Sequence, residues 1–160
     1  MRHLSIDLEL IGEPPSLAFP VRTVSLEDAD ALAELMADAY ADAVDREWAD
    51  YDRARKEVQR IFTTWDGPVV PEACLAAFDG PRPISACLAR NARGQGCISY
   101  LMTARAYQNR GIGRAVLTRS LKTLKDMGFQ RAFLDVTAGN GPAEHLYESL
   151  GFIEEWSLRL

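Results

Sequence analysis

Two glycines one residue apart stand where the chain could bind an anion. The stretch AYQNRGIGRAVL, residues 106–117, places Gly111 and Gly113 between Arg110 and Arg114, in front of an apolar pattern with helical spacing. A helix N-terminus offers unpaired N–H groups and a partial positive charge, glycines let a phosphate approach the backbone, and arginines add charge-assisted contacts. The stretch therefore predicts an anion site, while a glycine turn needed only for chain direction remains the simpler interpretation.

The loop differs from two familiar phosphate motifs. A Walker A loop ends in Gly-Lys-Ser/Thr, whereas Gly113 is followed by Arg114 and Ala115. A dinucleotide fingerprint needs a third glycine three residues after the second, where this chain has Val116. Both motifs are therefore excluded.

Charge is unevenly distributed along the chain, whose net charge is −5. Residues 27–52 hold ten acids and one base, and residues 90–125 hold eight bases and no acid. Either block alone is typical of a solvated face, but together they suit an anionic ligand at one end and a cationic ligand at the other. Nucleic-acid binding through the basic block is disfavoured, because its bases fall on the predicted anion loop and helix and the isoelectric point is 5.1.

The cysteines and histidines predict no metal site. Cys74, Cys87 and Cys97 form no C-x-x-C pair, and His3 and His145 are the two histidines, too few to build a zinc site. We expect small buried cysteines in a reducing compartment.

Localisation is predicted from the absence of targeting patterns. No run approaches the ~18 apolar residues that a membrane span requires. Asp7 and Glu9 interrupt what would be the apolar core of an N-terminal signal. We expect a cytoplasmic protein without membrane association.

The elements around the loop form a mixed α/β layout of one domain, residues 1–160. Alternation predicts a half-buried strand at 4–10, and Ser25 followed by Asp28 predicts a capped helix start. The other predicted elements are an extended segment at 17–24, a helix at 50–64 with the stripe Tyr51, Ala54, Val58, Ile61 and Trp65 ended by an Asp66-Gly67-Pro68 turn, a hairpin at 73–78 and 84–90, a strand at 96–104, a helix at 111–127, a strand at 131–136, a helix at 143–150 and a strand at 152–160.

Further motifs accompany the loop. The pattern Q-x-x-G-x-G, Gln108 to Gly113, directly follows a strand, and about 27 residues on come Asn140-Gly-Pro-Ala143 and Leu146-Tyr147-Glu148-Ser149-Leu150-Gly151-Phe152. This arrangement resembles the GNAT superfamily of acyl-CoA-dependent N-acyltransferases. The resemblance is specific over about 96–153 and extends over about 18–95 in the order of elements only. It implies an acyl-CoA N-acyltransferase fold, with a largely antiparallel sheet of six to seven strands and about four helices.

The resemblance also implies a binding site for acetyl-CoA as cosubstrate. The family's loop cradles the pyrophosphate through backbone amides, the preceding strand pairs with the pantetheine arm through its main chain, and an asparagine contacts the CoA arm. A splay between that strand and the next would admit the thioester. The matching residues here are Gln108, Asn109, Arg110, Gly111, Ile112, Gly113 and Arg114 for the loop, Leu101, Met102 and Thr103 for the strand, and Asn140 for the asparagine.

Tyr147 matches the family tyrosine that stands near the CoA sulfur as a general acid. An amine attacks the thioester, a backbone N–H of the central strand holds the oxyanion, and the departing thiolate takes a proton. A phenol of pKa ~10 is a suitable donor to a thiolate of pKa ~8.5 or above. Packing alone, as a half-buried helix aromatic, remains the alternative role.

The chain departs from the family pattern in three places. Thr103 and Arg105 replace the Val and Pro of many members, which backbone pairing tolerates. Residues 96–104 hold no carboxylate to serve as general base, so a base must come from elsewhere or act through water. Members usually end in two strands, whereas nine residues follow Gly151 here. We hypothesise that strand 4–10, in an N-terminal extension of residues 1–16, completes the sheet edge in its own subunit or in that of a homodimer partner.

The family's N-terminal helices line the acceptor side, which here is the acidic block. Carboxylates beside aromatic rings suit a cationic amine, and one of the acids could deprotonate it. A solvated acidic helix face remains the alternative. The acceptor candidates are Asp38, Asp42, Trp48 and Tyr51, and the neighbouring acids are Asp45, Glu47 and Asp50.

Two functions of different classes follow. The first is an acetyl-CoA-dependent N-acetyltransferase that acylates a primary amine of a small molecule or peptide by direct attack in a ternary complex. The second is a non-catalytic acyl-CoA-binding module, which remains an alternative because the central strand lacks a carboxylate.

Overall fold

A computed structural model describes residues 1–43, 46–64 and 67–155. The strands are β1 (Arg2–Asp7), β2 (Val21–Thr23), β3 (Leu75–Asp79), β4 (Arg82–Ala92), β5 (Gln95–Thr103), β6 (Arg131–Val136) and β7 (Ile153–Glu154). The α-helices are α1 (Ala29–Ala39), α2 (Tyr51–Thr63), α3 (Ile112–Asp126) and α4 (Gly141–Leu150). The expected Asp45, Trp65, Asp66 and 156–160 lie outside the described residues.

The strands form one sheet in the order β2-β3-β4-β5-β6-β1-β7. Every neighbouring pair is antiparallel except β5 and β6, which run parallel. This arrangement confirms the predicted fold class, a mixed and largely antiparallel sheet flanked by helices.

The predicted N-terminal strand was wrong in its end and in its place in the sheet. It stops at Asp7, because the Asp7 carboxylate accepts the N–H of Glu9 at 3.0 Å and starts a 3-10 turn, Leu8–Leu10. It lies inside the sheet rather than at its edge, since Leu4 faces Leu134 of β6 on one side and Glu154 of β7 on the other. Both neighbours belong to the same chain, so a partner subunit is not needed to pair β1.

Alternation along the strands divides the core between two helical layers. Ala76, Ala86 and Met102 pack with α1 and α2, whereas Ala77, Cys87 and Ile98 face α3. The α1 layer begins as expected at Ser25, whose N–H donates to the Asp28 carboxylate at 3.0 Å; a 3-10 turn, Leu26–Asp28, precedes α1. The α3 layer also contains Tyr147 of α4 and the buried side chains of β1.

The sheet opens at its centre. β5 and β6 pair only at Gly96 with Ala132 and at Cys97 with Phe133, and within the described residues β5 has no strand partner on that edge beyond Cys97. The register with β4 also shifts at this point, leaving Ser99 as an extra residue in a β-bulge. The two central strands therefore diverge from residue 98 onward and leave a gap between the helical layers.

Over the part of the chain that the structure describes, no helix combines the length and apolarity needed to cross a bilayer.

Candidate functional site

A cavity of about 820 Å³ occupies the gap between β5 and β6. One part of its wall comes from the β5 edge, the start of α3, the end of β6 and α4. The other part belongs to the α1 and α2 layer, where Tyr40, Asp42, Trp48 and Tyr100 line it. The cavity therefore reaches both faces of the sheet, and two ligands could meet inside it from opposite sides.

The start of α3 turns its backbone toward this cavity. Gly111 lies just before the helix at φ 77°, in the left-handed region that favours glycine. A Cβ on Gly113 would lie 2.9 Å from Thr103 Oγ1, so the helix start and β5 approach more closely than any side chain at 113 would permit. The first N–H groups of a helix have no intrahelical acceptor, and here the residues that carry them line the cavity, where they could bind an anion.

The two arginines beside the glycines have different surroundings. Arg114 lines the cavity and donates to Ser149 Oγ of α4. Arg110 is exposed, stacks its guanidinium 5.2 Å from the Tyr107 ring centroid, and is not among the described residues of the wall. The other loop residues predicted from the motif all line the cavity, namely Gln108, Asn109, Gly111, Ile112 and Gly113.

The β5 edge offers main-chain groups to a ligand. The Ala104 N–H donates to the Ile84 carbonyl at 2.9 Å, and Met102 faces Ala86 in the same register, so the Met102 backbone groups point toward β4. Alternation then turns the N–H and C=O groups of Leu101 and Thr103 toward the gap, where the Thr103 carbonyl accepts Gln108 Nε2 at 3.0 Å. Leu101, Met102 and Thr103 all line the cavity, where an amide-containing chain could pair with them as an added strand.

Helix α4 brings Tyr147 and Asn140 to the same cavity. Tyr147 is 8% exposed and packs edge-on against Phe152, with ring centroids 5.6 Å apart. Burial raises the pKa of the Tyr147 phenol well above its ordinary value, so the hydroxyl keeps its proton near neutral pH. Asn140 directly precedes the helix, and its carbonyl accepts the Glu144 N–H at 2.9 Å. Tyr147 can therefore act as a proton donor inside the gap.

Arg105 binds both acidic acceptor candidates, Asp38 and Asp42. The backbone N–H of Arg105 donates to Asp38 Oδ2 at 2.8 Å, and its Nη1 donates to Asp42 Oδ2 at 3.2 Å. Among the candidates, Asp42 and Trp48 line the cavity, whereas Asp38 and the half-exposed Tyr51 are not part of the described wall. The acidic block is therefore partly neutralised by the basic block, rather than gathered around the cavity.

Sequence reasoning missed three functional candidates, Tyr40, Glu57 and Tyr100. Tyr40 and Trp48 pack edge-on against Tyr100, at centroid distances of 6.4 Å and 6.1 Å. Tyr100 Oη donates to Glu57 Oε2 at 2.5 Å, which brings a carboxylate from α2 to the central strand. The available signal was the position of Glu57 on the buried stripe of α2, three residues after Ala54 and next to Val58. Across the described residues, no group of three or more His, Cys, Asp or Glu could hold a metal ion.

Known proteins share parts of this sequence and its fold. The model of the acetyltransferase (GNAT) family matches residues 29–152. The [ribosomal protein bS18]-alanine N-acetyltransferase of Escherichia coli K12 is 46% identical over 48 residues, which cover 30% of this chain and 32% of the relative. The chain thus aligns with about a third of that relative.

Two solved structures share the fold. The GCN5-related N-acetyltransferase of Sphaerobacter thermophilus superposes with a TM-score of 0.69 at 23% identity, covering 96% of this chain and 47% of that one. The PaiA N-acetyltransferase of Thermoplasma acidophilum, in complex with coenzyme A, superposes with a TM-score of 0.66 at 18% identity, covering 84% of this chain and 89% of that one. At these identities the likeness concerns the fold alone.

The family match spans the elements that build the cavity, from α1 through the glycine loop to the residue after α4. The splayed sheet and the solved structures agree with it. This chain belongs to the GNAT family of acetyltransferases.

Proposed function

We propose that this protein is an acetyl-CoA-dependent N-acetyltransferase that transfers an acetyl group to a primary amine of a small molecule or peptide, by direct attack in a ternary complex. The observation that carries the proposal is the cavity through the sheet. It joins a helix N-terminus on one face to an aromatic wall on the other, so donor and acceptor can meet between β5 and β6.

The residues on the α3 side fit acetyl-CoA, which supplies a thioester as the acyl donor. The backbone N–H groups at Gly111, Ile112 and Gly113 suit the pyrophosphate, because they combine free donors with a positive helix end. A Cβ on Gly113 would lie 2.9 Å from Thr103 Oγ1, so glycine is the residue that fits where the helix start meets β5. The free edge of β5 suits the amide groups of pantetheine, and Asn140 lines the same side.

Two groups of this chain would assist the transfer. A backbone N–H at the opened edge of β5 would stabilise negative charge on the thioester carbonyl oxygen, as preorganised donors do in acyl transfer. Tyr147 would give its proton to the departing thiolate, since its buried phenol is protonated and lines the gap.

Direct attack is favoured because the cysteines are poorly placed to carry the acyl group. Cys74, Cys87 and Cys97 are buried, and none of them lines the cavity. Burial raises the pKa of Cys74 to about 11 and that of Cys87 to about 12, so neither is a thiolate near neutral pH. An amine held beside the thioester is the remaining nucleophile.

The acceptor side suits a cationic amine, because Tyr40, Trp48 and Tyr100 present rings. The Asp42 carboxylate lines the same cavity and is bound by Arg105. The E. coli relative is named for an alanine of a ribosomal protein, which makes a peptide α-amine one acceptor class to test.

Ligand binding tests the donor site first. Thermal unfolding of the protein is measured with acetyl-CoA, with free CoA and with ATP at equal concentrations. We expect both CoA ligands to raise the midpoint more than ATP, because a ligand that binds the native state alone stabilises it. An unchanged midpoint with both CoA ligands would overturn the proposal.

Thiol release then tests catalysis. Acetyl-CoA is incubated with a peptide bearing an N-terminal alanine, with polyamines, with aminoglycosides and with free amino acids, and acetylated products are identified by mass. We expect release with at least one amine and intersecting double-reciprocal lines, which indicate a ternary complex. Parallel lines would indicate an acyl-enzyme. Binding without release on any amine would favour a non-catalytic acyl-CoA-binding module.

A further inference from the structure

The Tyr100 and Glu57 pair lies between two cavities. Tyr100 lines the large cavity together with Tyr40 and Trp48, and its hydroxyl is bound by Glu57 at 2.5 Å. Glu57 lines a second cavity of about 170 Å³ on the α2 side, and Tyr100 lines that cavity as well. Tyr100 therefore links the two cavities, and its hydroxyl contacts a carboxylate that lines the second one.

The second cavity is polar and large enough for several water molecules. It contains Arg60 and Thr64 beside Glu57, and the Arg60 side chain is 64% exposed. A proton that reaches Glu57 can therefore continue to water without returning to the large cavity.

We propose that Tyr100 takes the proton of the acceptor ammonium while passing its own hydroxyl proton to Glu57, which makes this pair the proton acceptor for the amine. This inference rests on the proposed acetyl transfer. It assigns the base that residues 96–104 lack, and it places the carboxylate on a neighbouring helix rather than on the central strand.

The step balances. The ammonium loses one proton and becomes a free amine, Tyr100 gains that proton on Oη and gives up its own, and the carboxylate of Glu57 becomes a carboxylic acid. Glu57 then releases the proton to water in the second cavity. The second proton, which the nitrogen loses as the amide forms, goes to the thiolate through Tyr147.

Burial and the Glu57 hydrogen bond both raise the pKa of Tyr100 above its ordinary value, which keeps the phenol protonated between turnovers. Other groups surround the pair, and their charges enter its pH dependence. They are Tyr40 from α1, Glu47 from the 3-10 segment Arg46–Ala49, Arg60 from α2, Arg90 from β4, Cys97 from β5 and Asp135 from β6.

Arg60 contacts the carboxylate directly, because its Nε lies 2.5 Å from Glu57 Oε1. The Arg60 guanidinium thereby holds the Glu57 carboxylate in place beside the Tyr100 hydroxyl.

The pH profile of kcat/KM tests the pair with the acceptor that gives most thiol release. Glu57→Gln and Tyr100→Phe are compared with the wild type, and Glu34→Gln, at an exposed position of α1, is the control. We expect both variants to lose about 10²-fold at pH 7. We also expect their rate to rise about tenfold per pH unit up to the amine's own pKa, since a free amine needs no base. The kcat/KM of the wild type and of Glu34→Gln should reach its plateau at a lower pH.

An acceptor of lower amine pKa should rescue the variants. An α-amine has a pKa of about 8 and a lysine ε-amine about 10.4, so the loss on Glu57→Gln should be smaller for the α-amine. The CoA affinity of Tyr100→Phe should stay within error of the wild type. A Glu57→Gln variant with the wild-type pH profile would overturn the inference.

An ultraviolet titration of tyrosine gives a readout without turnover. Glu57→Gln should lower the pKa of Tyr100 and move the absorbance change of one phenol to lower pH, because burial still raises that pKa but the charged acceptor is removed. Identical titrations in wild type and Glu57→Gln would contradict the pairing, whatever the activity. A wild type that binds CoA and titrates as expected but releases no thiol would overturn the proposed function, and the proton transfer with it.

Discussion

At the scale of single residues, the geometry of the cavity wall depends on two glycines without side chains and on one buried tyrosine. Gly113 omits a Cβ that would press on Thr103, and Gly111 holds a φ that side chains disfavour. Tyr147 retains a proton because it is buried. Local packing thus fixes both the close contact at the helix start and the protonated state of the phenol.

Gly113→Ala should weaken CoA binding and lower stability. The new Cβ would lie 2.9 Å from Thr103 Oγ1, which is held by a 2.9 Å hydrogen bond to Ser85 Oγ and cannot turn away without losing it. We expect a cost of about 1–3 kcal/mol in the free energy of unfolding, as in other overpacked sites. Urea denaturation and calorimetric CoA titration measure both effects.

The double variant Gly113→Ala with Thr103→Ala is the control for that clash. It removes the crowded Oγ1, so part of the lost CoA affinity should return. Equal affinity in the single and double variants would show that the close contact is not the cause.

Tyr147→Phe should lower kcat by about 10²-fold or more and leave CoA affinity nearly unchanged, because only the proton donor is lost. Tyr51→Phe removes a hydroxyl from a half-exposed residue outside the described cavity wall and should behave as wild type. Steady-state kinetics and CoA titration measure both variants. Unchanged kcat in Tyr147→Phe would remove Tyr147 as the acid without touching the family assignment.

At the scale of elements, β1 lies between β6 and β7, the two other strands beyond the splay. Its main chain pairs with β6 and β7, and Arg2 donates to Glu144 and Glu148 of α4 and to Glu154 of β7. The strand therefore supports the helix that carries Tyr147. This side of the sheet is thus formed by an N-terminal strand together with β7.

Leu4→Ala should destabilise the protein, whereas Leu10→Ala should not. Leu4 is 0% exposed between β6 and β7, and Leu10 is 66% exposed after the 3-10 turn. We expect about 2–5 kcal/mol for Leu4→Ala and less than about 0.5 kcal/mol for Leu10→Ala. Urea denaturation of both variants measures this difference. Similar midpoints for the two would contradict the internal position of β1.

At the scale of the whole molecule, the two helical layers line different parts of the cavities. The α3 and α4 layer presents the helix start and Tyr147, and the α1 and α2 layer presents the aromatic wall and Glu57. The cysteines lie inside this three-layer body, where they contribute to packing.

Native protein should resist thiol alkylation until it unfolds. With pKa values raised to about 11 for Cys74 and about 12 for Cys87, the thiolate fraction at pH 8 is at most about 10⁻³. Iodoacetamide labelling, measured by mass spectrometry, should be slow in buffer at pH 8, faster as the pH rises toward 11, and complete in denaturant. Treated native protein should keep its thiol-release activity. Rapid labelling with loss of activity would contradict both the burial and the direct attack.

Elements with strong local signals were predictable from sequence. The strand at 131–136 has the predicted bounds, and α2 and α3 lie within about a residue of theirs. The glycine loop was recognisable because helix starts and left-handed turns depend on neighbouring residues. The end of β1 was missed because Asp7 competes for a backbone N–H and converts an alternating pattern into a 3-10 turn.

The sequence by itself determined the fold class, the family resemblance and the position of the glycine loop, since these depend on local spacing and composition. Only the tertiary structure decided how β1 is paired, which acids Arg105 neutralises, and that Glu57 meets Tyr100 across 43 residues. Those outcomes follow from which surfaces pack together. Long-range contacts of this kind leave no periodic signal in one chain, because burial of a charged side chain is recognised only once its partner is in place.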